Sequence, residues 1–277
     1  MAITELDEHL FEAEQFSPGL GTYTLTDDEG TAIIRDALEA GYCHVDTARL
    51  YGNEAEVGDA LEAAAVDREN VLVATKVAHF EEPEKTPEYV RTAVEESHER
   101  LGTETLDLLY HHWPRDGSDV ETVLPVLEEL VEEGSVANVA VSNYPIRYLE
   151  RIDDLIGLSV IANQVEMHPL LQQEELHEYV REHGMYLVAY SPIAQGEVFD
   201  VPELVEIAEK HDTTPAAVSI AWLLGKEGVV PIPRSSSREH IEANLAARDV
   251  ELDTEDVKRI ESIDREKRLE DPDWMQW

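Results

Sequence analysis

The chain of 277 residues carries 61 acidic residues against 21 lysines and arginines, and this formal net charge of −40 disfavours binding to nucleic acid or to an anionic membrane. Its length fits one large α/β barrel or two smaller domains. The acidic N-terminal residues lack the apolar core of a secretory signal, no apolar run reaches membrane-spanning length, and the single cysteine, Cys43, excludes an internal disulfide, so we expect a protein of the reducing cytoplasm.

Apolar, strand-like segments alternate along the chain with amphipathic segments whose apolar residues recur at three- and four-residue spacing. The predicted strands are GLGTY at 19–23, CHVDTA at 43–48, VLVATKV at 71–77, LDLLYHH at 106–112, VANVAVS at 136–142, VIANQVE at 160–166, MYLVAYS at 185–191 and VVPIPRS at 229–235. Between them, the Thr-Pro pairs at 86–87 and 214–215 predict helix starts. Gly41, Gly102, Gly134 and Gly184 each end a helical pattern and precede a strand.

Eight β/α units in succession with no linker predict a closed (β/α)₈ barrel of the α/β class, formed by residues 1–277 as a single domain. The competing fold is an open, doubly wound sheet. That fold usually carries a G-x-G-x-x-G motif after its first strand, and the chain has no such motif.

Polar residues follow the predicted strands at their carboxyl ends, which is where (β/α)₈ barrels carry their active sites. These residues are Asp46, Lys76, His112, Ser142, Asn143, Gln164, Tyr190, Ser191 and Arg234. Because they all belong to one rim of the predicted barrel, we expect them to surround a common site.

Four residues at successive strand ends suggest a proton donor. A free phenol has a pKa near 10, and a neighbouring ammonium lowers that pKa. Tyr51, in the loop after the Asp46 strand, is the candidate acid; Lys76 is the predicted ammonium, and the carboxylate of Asp46 keeps it charged. His112 is placed to donate a hydrogen bond to a substrate carbonyl. Such a site protonates a carbonyl oxygen while hydride arrives at the carbon.

Each of these residues also has an ordinary interpretation. Asp46 and Lys76 alone would be a structural ion pair, and Tyr51 alone an ordinary loop tyrosine. The adjacent pair His111-His112 raises the alternative of a metal-dependent hydrolase. Neighbouring side chains in a strand point to opposite faces and are poor joint ligands, so we predict no metal site and a structural role for His111.

The segment GYCHVDTARLYGNEAEVG, from Gly41 to Gly58, is followed in order by ATKV, HWP, VSNY, NQVEMHP, AYSPI and PIPRSSS. In these segments the chain resembles the aldo-keto reductase family along nearly its whole length. The resemblance implies an NADPH-dependent carbonyl reductase. It assigns Tyr51 as the general acid, Lys76 and Asp46 as the pair that tunes it, and His112 as the residue that orients the substrate.

The resemblance also implies how the cofactor is held. Ser142, Asn143 and Gln164 match positions that bind the nicotinamide carboxamide, and Tyr190 matches the aromatic residue that stacks on the ring. Further along the cofactor, the positions near the pyrophosphate, the adenosine and the 2′-phosphate are Ser191, Arg234, Ser235 and Asn244. The candidate walls of the substrate pocket are Tyr23, Phe80, Trp113 and Trp277.

Two departures from the family pattern bear on specificity. His240 stands where an arginine often binds the 2′-phosphate, so NADH stays open as an alternative to NADPH. Ala78 stands where many relatives have tryptophan, which predicts a wider pocket on that side.

The sequence therefore predicts an oxidoreductase that transfers hydride from NADPH to the carbonyl of a small aldehyde or ketone. A regulatory barrel that binds NADPH with negligible turnover is the alternative, and the oligomeric state stays open. The acidic residues are spread between apolar positions, as on a solvated helix face. So large a charge is typical of halophilic proteins, because molar salt screens it within about 3 Å.

Overall fold

Eight parallel strands form one sheet in which the spatial order of the strands is their order along the chain. The computed structural model describes residues 17–81, 85–275 and 277. The strands are β1 Leu20–Gly21, β2 His44–Asp46, β3 Leu72–Val77, β4 Leu108–His111, β5 Val139–Ser142, β6 Ala162–Glu166, β7 Tyr186–Tyr190 and β8 Val229–Pro231. Each lies inside one of the eight predicted segments, so the prediction of the strands is confirmed.

The last strand returns to the first and closes the sheet. The Gly19 amide donates to the Pro231 carbonyl at 2.9 Å, and the Gly21 amide donates to the Pro233 carbonyl at 3.2 Å. This close approach requires glycine, because a Cβ at Gly21 would lie 2.8 Å from the Ile232 carbonyl oxygen. The predicted (β/α)₈ fold is confirmed.

Helices connect the strands on the outside of the barrel. They are Asp27–Ala40, Glu54–Ala63, Pro87–Leu101, Gly117–Glu132, Ile146–Leu149, Ile152–Leu155, Glu174–Glu182, Pro202–Lys210, Pro215–Leu224, Arg238–Ala246 and Thr254–Glu261. The short 3₁₀ segments are Arg49–Tyr51, Arg68–Asn70, Ala194–Asp200 and Ala247–Asp249. Among the described residues, none of the helices has the length and apolar character needed to cross a membrane.

The predicted helix boundaries follow from local chemistry. The Thr86 hydroxyl accepts the Tyr89 amide at the start of one helix, and the Thr214 hydroxyl accepts the Ala217 amide at another. Gly102 ends its helix in the left-handed conformation, with a φ of 66°. The Thr-Pro starts and this glycine stop are confirmed.

Alternation along the strands creates two cores. One row of side chains points outward and packs against the helices, as Val73 and Val77 do. The other row points into the barrel, where Ala74, Tyr110 and Val188 belong to a separate apolar cluster.

The inward rows become polar at the carboxyl ends of the strands. Two positions beyond an inner apolar residue, the same face carries Lys76 on β3, His112 just after β4, Ser142 on β5, Gln164 on β6 and Tyr190 on β7. The apolar filling of the barrel therefore forms the floor of a polar site at one rim.

Candidate active site

A buried ion pair lies just below the rim. The Lys76 ammonium donates to Asp46 Oδ1 and, at 2.8 Å, to the Thr47 carbonyl oxygen. The second oxygen of Asp46 accepts Nε2 of Gln164 at 2.7 Å. Both charged side chains are almost completely inaccessible to solvent. The pair thus joins strands β2 and β3, and Gln164 connects it to β6 across the barrel.

Tyr51 lies directly above this pair. It ends the 3₁₀ segment Arg49–Tyr51, which is more regular than the loop predicted there, and Gly52 stops the segment in the left-handed conformation. Its ring centroid lies 5.0 Å from Lys76 Nζ and 5.8 Å from the His112 ring centroid. The predicted acid, its lysine and the orienting histidine are therefore brought together.

The predicted lowering of the Tyr51 pKa below its ordinary value of 10 is wrong for this arrangement. Burial raises the pKa of the Tyr51 phenol well above 10, and the negative charge of Asp46 adds to the increase. The Lys76 charge is held by Asp46 and the Thr47 carbonyl, so it does not offset the burial. The phenol is consequently protonated at neutral pH, as a proton donor must be.

His112 is a neutral imidazole at neutral pH. Burial lowers its pKa well below 6.5, and the charge of Lys76 lowers it further. Its Nδ1 is buried and has no hydrogen-bond partner within the described residues. The preceding His111 belongs to a different environment, because its Nδ1 lies 2.6 Å from the Tyr144 hydroxyl. The two neighbours face apart, as strand alternation predicts.

Polar side chains at the carboxyl ends of β5 and β7 form a continuous hydrogen-bonded row. The Tyr190 hydroxyl donates to Asn143 Oδ1 at 3.0 Å, and Asn143 Nδ2 donates to Ser142 Oγ at 3.0 Å. Ser142 Oγ then donates to the Gln164 carbonyl oxygen at 2.9 Å. Asn143 adopts a positive φ of 60°. The row fixes the orientation of amide and hydroxyl groups that the resemblance assigns to the nicotinamide carboxamide.

A cavity of about 980 Å³ opens above these groups. The predicted residues that line it are Tyr23, Asp46, Tyr51, Phe80, His112, Trp113, Ser142, Asn143, Gln164, Tyr190, Ser191 and Arg234. Its volume lies at the upper end of the range for ligand sites, which is roughly 300–1,000 Å³. Most of the predicted site residues thus share one cavity.

Four predicted residues are not among those that line this cavity. Lys76 lies behind Asp46. Ser235 and Asn244 are buried against each other, since Asn244 Nδ2 donates to Ser235 Oγ at 2.8 Å. The ring centroid of Trp277 lies 5.8 Å from that of Trp113, and Trp277 lines a second concavity together with Tyr144 and Arg268.

The lining residues that sequence reasoning missed include His79, Glu270 and Asp271. His79 follows β3 by two residues, so the strand-end rule contained a signal for it. Its ring centroid lies 4.7 Å from that of His112, and burial lowers its pKa to about 4. Glu270 and Asp271 belong to the C-terminal segment, of which the sequence analysis placed only Trp277 at the pocket.

Comparison with known proteins relates the chain to one family of reductases. Residues 17–265 match the model of the aldo/keto reductase family. The chain is 36% identical over 262 residues to methylglyoxal reductase DkgB of Escherichia coli O157:H7, covering 93% of this chain and 96% of that protein. It is 39% identical over 260 residues to methylglyoxal reductase DkgA of Salmonella typhimurium, covering 92% of each.

Solved structures agree. An aldo-keto reductase from a Medee basin deep-sea metagenome library superposes with a TM-score of 0.86 at 33% identity, covering 91% of this chain and 92% of that one. The aldose reductase of Giardia lamblia superposes with a TM-score of 0.85 at 26% identity, covering 92% and 95%. The similarity therefore extends over nearly the whole length of these proteins.

Proposed function

Because the chain belongs to the aldo/keto reductase family and is an NAD(P)H-dependent oxidoreductase, we propose that it uses NADPH to reduce a small aldehyde or ketone, with Tyr51 as the proton donor. The observation that supports this proposal is a protonated phenol beside a neutral imidazole and above a buried ion pair. These groups share one cavity, except for Lys76, which acts from below.

Each residue of the proposed active site has a separate role in the reduction. When bound, NADPH would supply the hydride that the carbonyl carbon receives. The Tyr51 phenol gives its proton to the carbonyl oxygen, and the neutral His112 holds that oxygen by a hydrogen bond. Once the proton has left, the phenolate lies near the Lys76 ammonium, which stabilises it. Asp46 and the Thr47 carbonyl keep Lys76 in this position.

The cavity fits a dinucleotide. It extends from the aromatic residues Phe80 and Trp113 to Ser191 and Arg234. Arg234 is the only lysine or arginine among the described residues that line it. In our proposal the row from Ser142 to Tyr190 holds the nicotinamide end. The guanidinium of Arg234 binds the 2′-phosphate, which NADH lacks. This arrangement supports a preference for NADPH over NADH.

The relatives support a reductase over the regulatory alternative, because DkgA, DkgB and the aldose reductase of Giardia lamblia are named for the reactions they catalyse. Two of them are methylglyoxal reductases, so we include small 2-oxoaldehydes among the candidate substrates of this enzyme. The aromatic walls at Tyr23, Phe80 and Trp113 suit a small, partly apolar carbonyl compound.

We further propose that residues 1–277 form one domain that works in the cytoplasm at molar salt, without nucleic-acid partners. The net charge of −40 supports both the salt requirement and the absence of nucleic-acid binding, because such a charge repels phosphate and is screened only at high ionic strength.

Replacement of Tyr51 by phenylalanine tests the proposed function. Tyr51→Phe removes the proton donor and keeps the ring, so kcat for methylglyoxal or benzaldehyde should fall by about 10²–10⁴-fold. NADPH binding, measured by fluorescence titration, should change little. Tyr179→Phe, on the outer helix Glu174–Glu182, is the matched control and should retain the wild-type rate. Near-wild-type turnover by Tyr51→Phe would refute the assignment.

Replacement of Arg234 by alanine tests the cofactor preference. The kcat/KM for NADPH should fall by about tenfold or more, as expected for one charge-assisted phosphate contact, while that for NADH changes little. Arg238→Ala is the control, because Arg238 is exposed and already bonded to Glu242 at 2.9 Å, and it should have a smaller effect. An equal loss with both cofactors, or a wild type that prefers NADH, would contradict the prediction.

The salt requirement is tested by thermal unfolding. Self-repulsion of the acidic surface weakens as salt screens it, so the melting temperature should rise steadily from low to molar KCl. Circular dichroism melts in KCl, with sucrose at matched water activity as a control for non-ionic effects, measure this. A flat or falling melting temperature would show that the proposed adaptation is absent.

A further inference from the structure

The C-terminal segment forms part of the cavity wall and is anchored to the barrel. The amides of Leu269 and Glu270 donate to the two carboxylate oxygens of Glu166, each at 2.8 Å. Glu166 is fully buried at the end of β6 and also lies 2.8 Å from His168 Nε2. Because backbone amides make these contacts, the side chain of Glu270 is free to face the cavity, where it lines the wall with Asp271.

This wall gives the cavity an unbalanced charge. Three acidic side chains besides the paired Asp46 line it, Glu81, Glu270 and Asp271. Within the described part of the chain, Arg234 is the only lysine or arginine that does so. Lys76 lies below the cavity and its charge is matched by Asp46. Arg268, on the same segment, interacts with Asp271 and Tyr190 from outside the lining. Among the residues that line the cavity, the acidic side chains therefore still leave an excess of negative charge.

The negative charge of the C-terminal segment reaches the reacting groups. Glu270 is one of the groups whose charge raises the pKa of the Tyr51 phenol, and it also raises that of Tyr190. A substrate whose carbonyl accepts the Tyr51 proton therefore lies within the field of Glu270. A carboxylate on that substrate would face like charge in a partly desolvated space, which disfavours binding.

We propose that Glu270 and Asp271 make the enzyme selective for uncharged carbonyl compounds and exclude those that carry a carboxylate near the reacting carbon. This inference rests on the proposed reductase function and specifies its substrate class. The aromatic rings of Phe80 and Trp113 offer contact area to such a substrate, and the acidic wall adds the discrimination by charge.

A matched pair of aldehydes tests the proposal. 4-Formylbenzamide and 4-carboxybenzaldehyde are nearly identical in size and shape, but only the second is an anion at pH 8. In the lowest KCl concentration that keeps the protein folded, kcat/KM with NADPH should favour the amide by about tenfold or more. The preference should shrink as KCl is raised, because salt screens the exposed part of the charge.

Variants locate the cause. In Glu270→Gln/Asp271→Asn, which keeps the side-chain shapes and the backbone anchor on Glu166, the ratio of the two kcat/KM values should approach that set by the aldehydes' intrinsic reactivity. The double variant also changes the pKa of Tyr51, because Glu270 contributes to it. This change affects the reduction of both aldehydes alike and therefore cancels in the ratio. Glu266→Gln removes a charge from the same segment outside this cavity and should leave the ratio as in the wild type.

A binding measurement gives a second readout. Quenching of tryptophan fluorescence, to which Trp113 in the cavity wall contributes, should report tighter binding of benzamide than of benzoate, and the double variant should remove the difference. Equal use of both aldehydes by the wild type, or an unchanged ratio in the double variant, would overturn the charge selectivity. Turnover of neither aldehyde, with benzamide still favoured over benzoate, would instead refute the proposed reductase function and leave the selectivity of the cavity supported.

Discussion

The buried ion pair between Asp46 and Lys76 is the interaction on which the rest of the site depends. Removing two charges from water is unfavourable, and their mutual attraction offsets this only when further hydrogen bonds satisfy them. Here the Thr47 carbonyl and the Gln164 amide supply those bonds. Strands β2 and β3 are neighbours, but β6 lies across the barrel, so the bond from Gln164 to Asp46 requires a closed barrel whose inner rows are in the correct register.

The pair also determines the state of the residues above it. Asp46 holds the Lys76 charge, so burial dominates at Tyr51 and the phenol keeps its proton. Lys76 lies close enough to His112 to lower the imidazole pKa. A neutral acid and a neutral hydrogen-bond donor therefore face one cavity. The positive charge beneath them is available when a phenolate forms, which is when stabilisation contributes to rate.

Much of the fold and of the candidate active site was predictable from local chemistry. The strands were recognisable because the barrel buries both faces of each strand, which makes their sequences continuously apolar. Two helix starts were recognisable because Thr86 and Thr214 cap them. The rule that strand ends carry the site located Asp46, His112 and Gln164. The pKa direction at Tyr51 was not predictable, because it depends mainly on how completely the folded barrel buries the phenol. The acidic wall at Glu270 was hidden because its position is set by the distant carboxylate of Glu166.

A double-mutant cycle on Lys76→Met and Asp46→Asn tests the central role of the pair most directly. Its two readouts are the free energy of unfolding in urea and the rate of NADPH oxidation with an aldehyde. Each single variant should lose about 3–5 kcal/mol of unfolding free energy, since it leaves a buried charge unpaired. The double variant should recover part of that loss and still reduce aldehydes slowly, because the charge beneath Tyr51 is gone. Additive stability losses, or a Lys76→Met protein with wild-type stability and rate, would contradict the account.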